Sequence, residues 1–242
     1  MRGYFGLGQL SASEKQDILN QHKSLYNGYQ TMQPQVSNTQ PLYVYDAAII
    51  KGQYERLTNA FSGVNQLRLH YATKALNNIS ILKYIQSLGA GLDTVSIQEV
   101  KLGLKAGFEP SKIIFTPNGV SLTEIEEVAK LGVQINIDNL SILEQFGGKY
   151  PTVPVCIRIN PHVMAGGNSN ISVGHIDSKF GISIHQIPHL LRITENTQMR
   201  INVIHMHTVS DILDIDVFLN ATEILFETAK NFKDLSFIDF GS

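Results

Sequence analysis

His70-Tyr71-Ala72-Thr73-Lys74-Ala75-Leu76 is the stretch on which the reading of the fold turns. Leading into it, Leu67-Arg68-Leu69-His70-Tyr71-Ala72 is short, apolar and alternating, the pattern of a β-strand. Leading out, Asn77-Asn78 can cap a helix whose apolar positions Ile79, Leu82, Ile85 and Leu88 recur at helical spacing. Lys74 therefore falls where a strand gives way to the turn before a helix, the edge at which α/β barrels collect their chemistry. A lysine there reads two ways. It is a solvated loop cation, as most lysines are, or a nucleophile that forms a Schiff base, because burial favours its neutral amine.

From residue 67 onward a strand–helix alternation sets in. Candidate strands cover 67–72, 91–95, 113–116, 133–137, 153–159, 201–207 and 235–240. Candidate helices cover 79–88, 97–106, 122–131, 140–146, 185–194 and 217–232. Repeated βαβ units require parallel strands. Gly89, Gly107 and Gly132 follow helices, where a left-handed residue ends the helix at little cost. A doubly wound open sheet gives the same alternation. Seven units without a Gly-x-Gly-x-x-Gly turn after the first strand favour an α/β fold of the (β/α)8 TIM-barrel type. The chain stops at Phe237-Ile238-Asp239-Phe240-Gly241-Ser242, one strand short of eight, which predicts a barrel truncated after its seventh strand.

Upstream, 41–46 reads as a strand and 47–61 as a helix with Ile49, Ile50, Tyr54 and Leu57 on one buried stripe. Residues 1–40 differ. Ser11-Ala12-Ser13-Glu14 has capping-box spacing, but Gln, Asn and Ser dominate from 27 to 40 and bury little surface. The expected division is a polar arm over 1–40 and an incomplete barrel over 41–242.

With 43% hydrophobic and 17% charged residues the composition is that of a globular protein with ample core material. A formal charge of −2 argues against a binder of nucleic acid or anionic membrane. The single Cys156, inside Val153-Pro154-Val155-Cys156-Ile157, reads as a small buried hydrophobe. One cysteine excludes an intrachain disulfide and fits a reducing compartment. With no charged-then-apolar leader and no bilayer-length apolar run, the expected location is the cytoplasm.

His205-Met206-His207 puts two imidazoles on one face of a strand. Structurally, one points into the barrel and the other packs at its rim. As metal ligands they need partners at other strand ends; His162, His175 and Asp239 are candidates without a diagnostic spacing. Arg158-Ile159-Asn160-Pro161 ends another strand, and its arginine reads as a buried ion-pair partner of Asp93 or Glu99 or as a ligand-binding group. Asp93 and Ser96 follow the second strand at the same edge as Lys74, where Asp93 orients a cation or caps the next helix. Residues 165–170, Ala-Gly-Gly-Asn-Ser-Asn, read as a loop near the mouth.

His-Tyr-Ala-Thr-Lys-Ala, followed by Gly91-Leu92-Asp93-Thr94-Val95-Ser96, resembles the opening of the pyridoxal-phosphate barrel decarboxylases, the alanine-racemase-like group, and most of all its diaminopimelate decarboxylase branch. Arg158-Ile159-Asn160-Pro161, Gly174-His175-Ile176-Asp177-Ser178-Lys179-Phe180-Gly181, His205-Met206-His207-Thr208-Val209-Ser210-Asp211 and Asp239-Phe240-Gly241-Ser242 continue the resemblance in the family's order. It implies decarboxylation of meso-diaminopimelate to lysine, or of another amino-acid substrate such as ornithine, arginine or a carboxylated polyamine. It equally allows a non-catalytic carrier of the cofactor. Lys74 would hold pyridoxal 5'-phosphate as an imine. Asp93 and Arg158 would border the cofactor, His207 would stack on its ring, and Ser210, Gly241 and Ser242 would serve its phosphate. No metal is implied. The family also implies a homodimer, a C-terminal β-domain and further cofactor-binding residues beyond Ser242, so the chain itself is expected to be incomplete and inactive.

One position departs from the family: Val209 stands where it has glycine. Glycine permits positive φ and close backbone approach; valine forbids the first and crowds the second. Strain of this kind costs on the order of 1–3 kcal/mol. Val209→Gly is therefore expected to tighten pyridoxal-phosphate binding by roughly five- to a hundredfold, read by titration; equal affinities would refute the steric argument.

Overall fold

The computed structural model describes residues 43–163, 180–207 and 215–241. Helix α1 spans Ala47–Ala60. Its start is set by Asp46, whose carboxylate oxygen accepts the N–H groups of Ala48 (2.7 Å) and Ile49 (3.2 Å). The expected strand over 41–46 is absent from its described part, 43–46, where Tyr43 is 85% exposed. An unpaired strand has no partner for its backbone, whereas a cap satisfies two N–H groups at once. Nor does α1 bury the predicted stripe: none of its residues is buried and Ile49 is exposed.

The compact unit beginning at Leu57 holds the strand–helix alternation. In order come β1 (His70–Ala72), α2 (Ile79–Ser87), β2 (Gly91–Thr94), α3 (Ile97–Ala106), β3 (Ile113–Phe115), α4 (Leu122–Ala129), β4 (Gln134–Ile137) and α5 (Leu140–Lys149). There follow β5 (Val155–Asn160), β6 (Ile182–Ser183), α6 (Ile187–Thr197), β7 (Ile201–Met206), α7 (Ile215–Ala229) and β8 (Phe237–Asp239). All pairings are parallel, in the order β1-β2-β3-β4-β5-β7-β8, with β6 branching from the end of β5. This is an incomplete TIM barrel of seven consecutive strands plus one short branch.

Local chemistry explains most boundaries. Asn78 caps α2, Ser96 caps α3, Ser121 caps α4 and Asn139 caps α5, each accepting a backbone N–H of the first turn. Gly107, at φ +100°, ends α3 in the left-handed region. β5 starts at Val155 rather than at 153, since Pro154 has no N–H for the ladder. β6 was not legible in the sequence: two residues carry no periodicity, and only the pairings Ile159–Ile182 and Asn160–Ser183 define it.

The register sorts side chains into two faces. Leu92, Ile113, Phe115, Ile135, Ile157 and Ile204 form one continuous apolar row, at most 4% exposed, suited to the helices. The other face carries Asp93, Asn136, Cys156, Arg158, His205 and Asp239, so the inside of the ring is largely polar. Gln134 and Asn202 exchange reciprocal amide hydrogen bonds of 3.2 and 3.0 Å beside the register shift between β5 and β7. At β2 the ring tolerates no side chain beyond hydrogen: a Cβ on Gly91 would stand 2.5 Å from both the His70 ring and the Lys112 carbonyl. Gly91→Ala is expected to destabilise the chain by about 2 kcal/mol or more, read from the urea midpoint.

Candidate active site

Lys74 sits in a single 3-10 turn, Thr73–Ala75, immediately after β1. Leu76 N–H donates to the Thr73 carbonyl (3.1 Å), and the Tyr71 hydroxyl donates to the Leu76 carbonyl (3.2 Å), so the turn is closed from both sides. The side chain is exposed, yet its charge acts on Asp93, His205 and His207. Its charge is therefore within electrostatic reach of the polar groups at this end of the ring. Thr73, fully buried beside it, keeps a hydroxyl with no protein partner.

Opposite lie β5, β7 and β8, whose register puts Arg158, His205 and Asp239 side by side. Arg158 is 6% exposed. It forms no ion pair with Asp93 or Glu99, contrary to the salt-bridge reading; Glu99 instead accepts the Val95 N–H (2.9 Å) and closes the cap of α3 with Ser96. An Arg158 Nη donates to the His207 carbonyl (3.3 Å), and its guanidinium lies 4.9 Å from the centre of the Phe180 ring. Burial lowers its pKa, while Asp138, Asp93 and Asp239 oppose that. Ser96, the helix cap, leaves Asp93 free of that role.

The ionisation pattern follows from burial. Asp93 is pushed up to about 6 by burial, with Asp239 adding and Thr116, Lys74 and Arg158 pulling back. His207 is pushed down to about 3 by burial and by the charges of Arg158, His205 and Lys74. A neutral imidazole at the rim presents a flat face suited to stacking on an aromatic ring. His205, 4% exposed, is inside the barrel with its Nδ1 2.8 Å from the Asn136 amide nitrogen. The His-x-His pair thus divides into one interior and one rim histidine.

After β8 the chain turns at Gly241, φ +63°. A Cβ there would run into the Met206 carbonyl and stand 3.1 Å from the His207 ring. Its N–H is already donated to Asp239 Oδ1 (2.8 Å), so Gly241 contributes close approach rather than a donor for an anion. Ser210, Ser242, Val209, His175 and the 165–170 loop lie outside the described residues. His162 is engaged with the β6 branch: it bonds Ser183 Oγ (2.6 Å) and stacks on His185 at 5.3 Å. Cys156 is 1% exposed and its thiol is pushed well up by burial. Among the described residues no three His, Cys, Asp or Glu side chains stand together as a metal site.

Sequence reasoning missed Asn136 and Asp138, and it missed the contact between Phe180 and Arg158. The first two carried a signal: in Gln134-Ile135-Asn136-Ile137-Asp138 every second residue is polar, which in a buried strand means a polar interior. Phe180 stands in the Lys179-Phe180-Gly181 motif of the resemblance, but its contact with Arg158 carried no signal, because the two are 22 positions apart in the chain.

A family model described as the pyridoxal-binding domain of pyridoxal-dependent decarboxylases matches residues 47–240. The chain belongs to this family. It is 35% identical over 208 residues to diaminopimelate decarboxylase of Methanothermobacter thermautotrophicus, covering 83% of this chain and 49% of that protein. The rice protein called probable diaminopimelate decarboxylase, chloroplastic, is 32% identical over 193 residues, 76% of this chain and 39% of the relative. The crystal structure of the Helicobacter pylori enzyme complexed with L-lysine superposes with a TM-score of 0.76 at 30% identity, over 87% of this chain and 55% of that one. Arginine decarboxylase of Paramecium bursaria Chlorella virus (TM-score 0.73, 22% identity) shares the fold. The chain spans about half the length of the curated relatives it matches.

The Asp93 shift gives a pH test. Between pH 3.8 and about 6 the folded carboxyl keeps a proton that the unfolded chain releases, so raising the pH through this window costs stability. The cost is at most about 3 kcal/mol. Asp93→Asn is expected to be more stable than the parent at pH 8, with the gain shrinking below pH 6 and gone near pH 4, in thermal unfolding at each pH.

Proposed function

We propose that this chain is the cofactor-binding barrel of a pyridoxal-phosphate-dependent decarboxylase acting on meso-diaminopimelate to give lysine. The observation that carries the reading is the convergence on one mouth of a strand-end lysine, a buried carboxyl, a neutral rim histidine and a glycine with no room for a side chain. Substrate identity rests on the named relatives at 32–35% identity. The arginine decarboxylase likeness stays at the level of fold.

When bound, pyridoxal phosphate supplies an electron sink for the bond between Cα and the carboxylate. Every other task falls to side chains. Lys74 Nζ would be the amine that holds the cofactor's aldehyde group. Asp93, pushed up to about 6 by burial and within electrostatic reach of the Lys74 charge, would supply a carboxyl at the same end of the ring. His207 offers the uncharged ring that flanks a planar ligand. Thr73 Oγ is a buried polar atom awaiting a partner. Gly241 lets the backbone after β8 close against His207. Arg158 places positive charge beneath the mouth, with no carboxylate bonded to it among the described residues. Ser210 and Ser242 complete our proposed set at the phosphate.

We assign residues 1–40 to a polar arm and 41–242 to the barrel domain, and the assembly to a homodimer in the cytoplasm with an amino-acid substrate. No described helix is long and apolar enough to cross a membrane.

Adding pyridoxal phosphate is expected to give the visible absorbance of an imine, abolished in Lys74→Ala at unchanged thermal stability. A band that survives the substitution would remove Lys74 from its role. Carbon dioxide release from meso-diaminopimelate, compared with ornithine and arginine, separates the substrate readings and distinguishes an enzyme from a carrier.

A further inference from the structure

Arg158 poses a problem that the decarboxylase reading leaves open. Its guanidinium is deep in the ring, has no bonded carboxylate among the described residues, and reaches the His207 carbonyl at 3.3 Å. Such a group needs something to fix its plane, because a planar cation holding one carbonyl can still rotate about that bond. The ring of Phe180, with its centre 4.9 Å from the guanidinium carbon, supplies a π-face at cation–π distance.

Phe180 is delivered by a built device. Gly181, next to it, adopts φ +82°, and a Cβ there would stand 3.1 Å from Asn160 N and 3.2 Å from the Arg158 carbonyl. Only glycine lets the backbone lie down on the end of β5 in this way. Directly after it, β6 pairs with Ile159 and Asn160. Ser183 then ties the branch in place: its hydroxyl bonds His162 Nε2 (2.6 Å) and accepts the His185 N–H (3.1 Å), and its N–H donates to Gln186 Oε1 (3.3 Å). Asn160 closes the other side by accepting the His162 N–H (3.0 Å). The branch strand thus sets an aromatic ring against the one buried guanidinium whose donor ends on the residue proposed to face the cofactor.

We propose that Phe180 is a positioning residue of the cofactor site: by covering Arg158 it holds the guanidinium against the His207 carbonyl and so sets the pose of the His207 ring. This rests on the cofactor reading above. The inference concerns Phe180 acting through Arg158, not contact between Phe180 and the ligand.

The decisive experiment replaces Phe180 by progressively fluorinated phenylalanines, which keep the shape of the ring while draining its negative face. The dissociation constant for pyridoxal phosphate is read by titration of the imine absorbance, and folding by the thermal midpoint. Affinity is expected to fall stepwise with fluorination, to roughly tenfold weaker, with the midpoint little changed. Phe180→Leu and Phe180→Met should weaken binding to a similar extent, and Phe180→Tyr should restore it. In an Arg158→Met background, Phe180→Leu should produce no further loss in affinity. Affinity indifferent to fluorination, or a Phe180→Leu loss that persists without Arg158, overturns the positioning role while the cofactor reading stands. A parent chain with no Lys74-dependent imine overturns the cofactor reading and this inference together.

Discussion

Burying a guanidinium inside a ring of strands is the constraint on which the rest of this structure depends. Desolvating such a charge costs several kcal/mol unless polar groups replace the lost water. Arg158 meets the cost without a direct ion pair among the described residues. A carbonyl at the end of β7 and an aromatic face from the β6 branch do the local work, and Asp93, Asp138 and Asp239 compensate at longer range. The interior is polar because this cation is there, and the cation is there because five different strands bring groups to meet it.

That arrangement sets the ionisation of its neighbours. Where positive charge and burial act together, as at His207 and His205, imidazoles stay neutral. Burial makes Asp93 and Asp239 hold their protons more tightly than in water, and at Asp93 the Asp239 carboxylate adds to the effect. A mouth with one exposed amine, neutral rings and a carboxyl titrating near neutrality suits chemistry that begins with proton removal from an amine and continues on a flat aromatic ligand. The polar interior of β4 and β7, joined through Asn136 and His205, carries this pattern below the mouth.

The alternation of strands and helices was legible in the sequence because each element is locally consistent. α3 occupies its predicted span, Ile97–Ala106, with Ser96 and Gly107 as its two ends, and the other twelve strands and helices predicted from residue 67 onward differ only at their ends, by at most three residues. The stretch 41–46 failed because apolar alternation says nothing about whether a partner strand exists, and an aspartate cap was the stronger local option. Lys74 stands out as a candidate because a strand–turn–helix boundary is visible in sequence and the quoted motif surrounds it, and the structure places it in a 3-10 turn directly after β1. Of the two readings of Arg158, the ion pair with Asp93 or Glu99 is not formed, for a different reason: a carboxylate's nearness cannot be judged from spacing, and Glu99 is committed to a cap.

By itself, the sequence determined the secondary-structure alternation, the parallel topology it requires, the family, and the candidate side chains Lys74, Asp93, Arg158 and His207, since periodicity, caps and motifs are local along the chain. Only the tertiary structure decided which of these face one another and in what protonation state, because burial and the charges of other strands set both. It alone revealed the β6 branch and the ring of Phe180 against Arg158, for a two-residue strand has no pattern of its own and exists only through the β5 edge it pairs with.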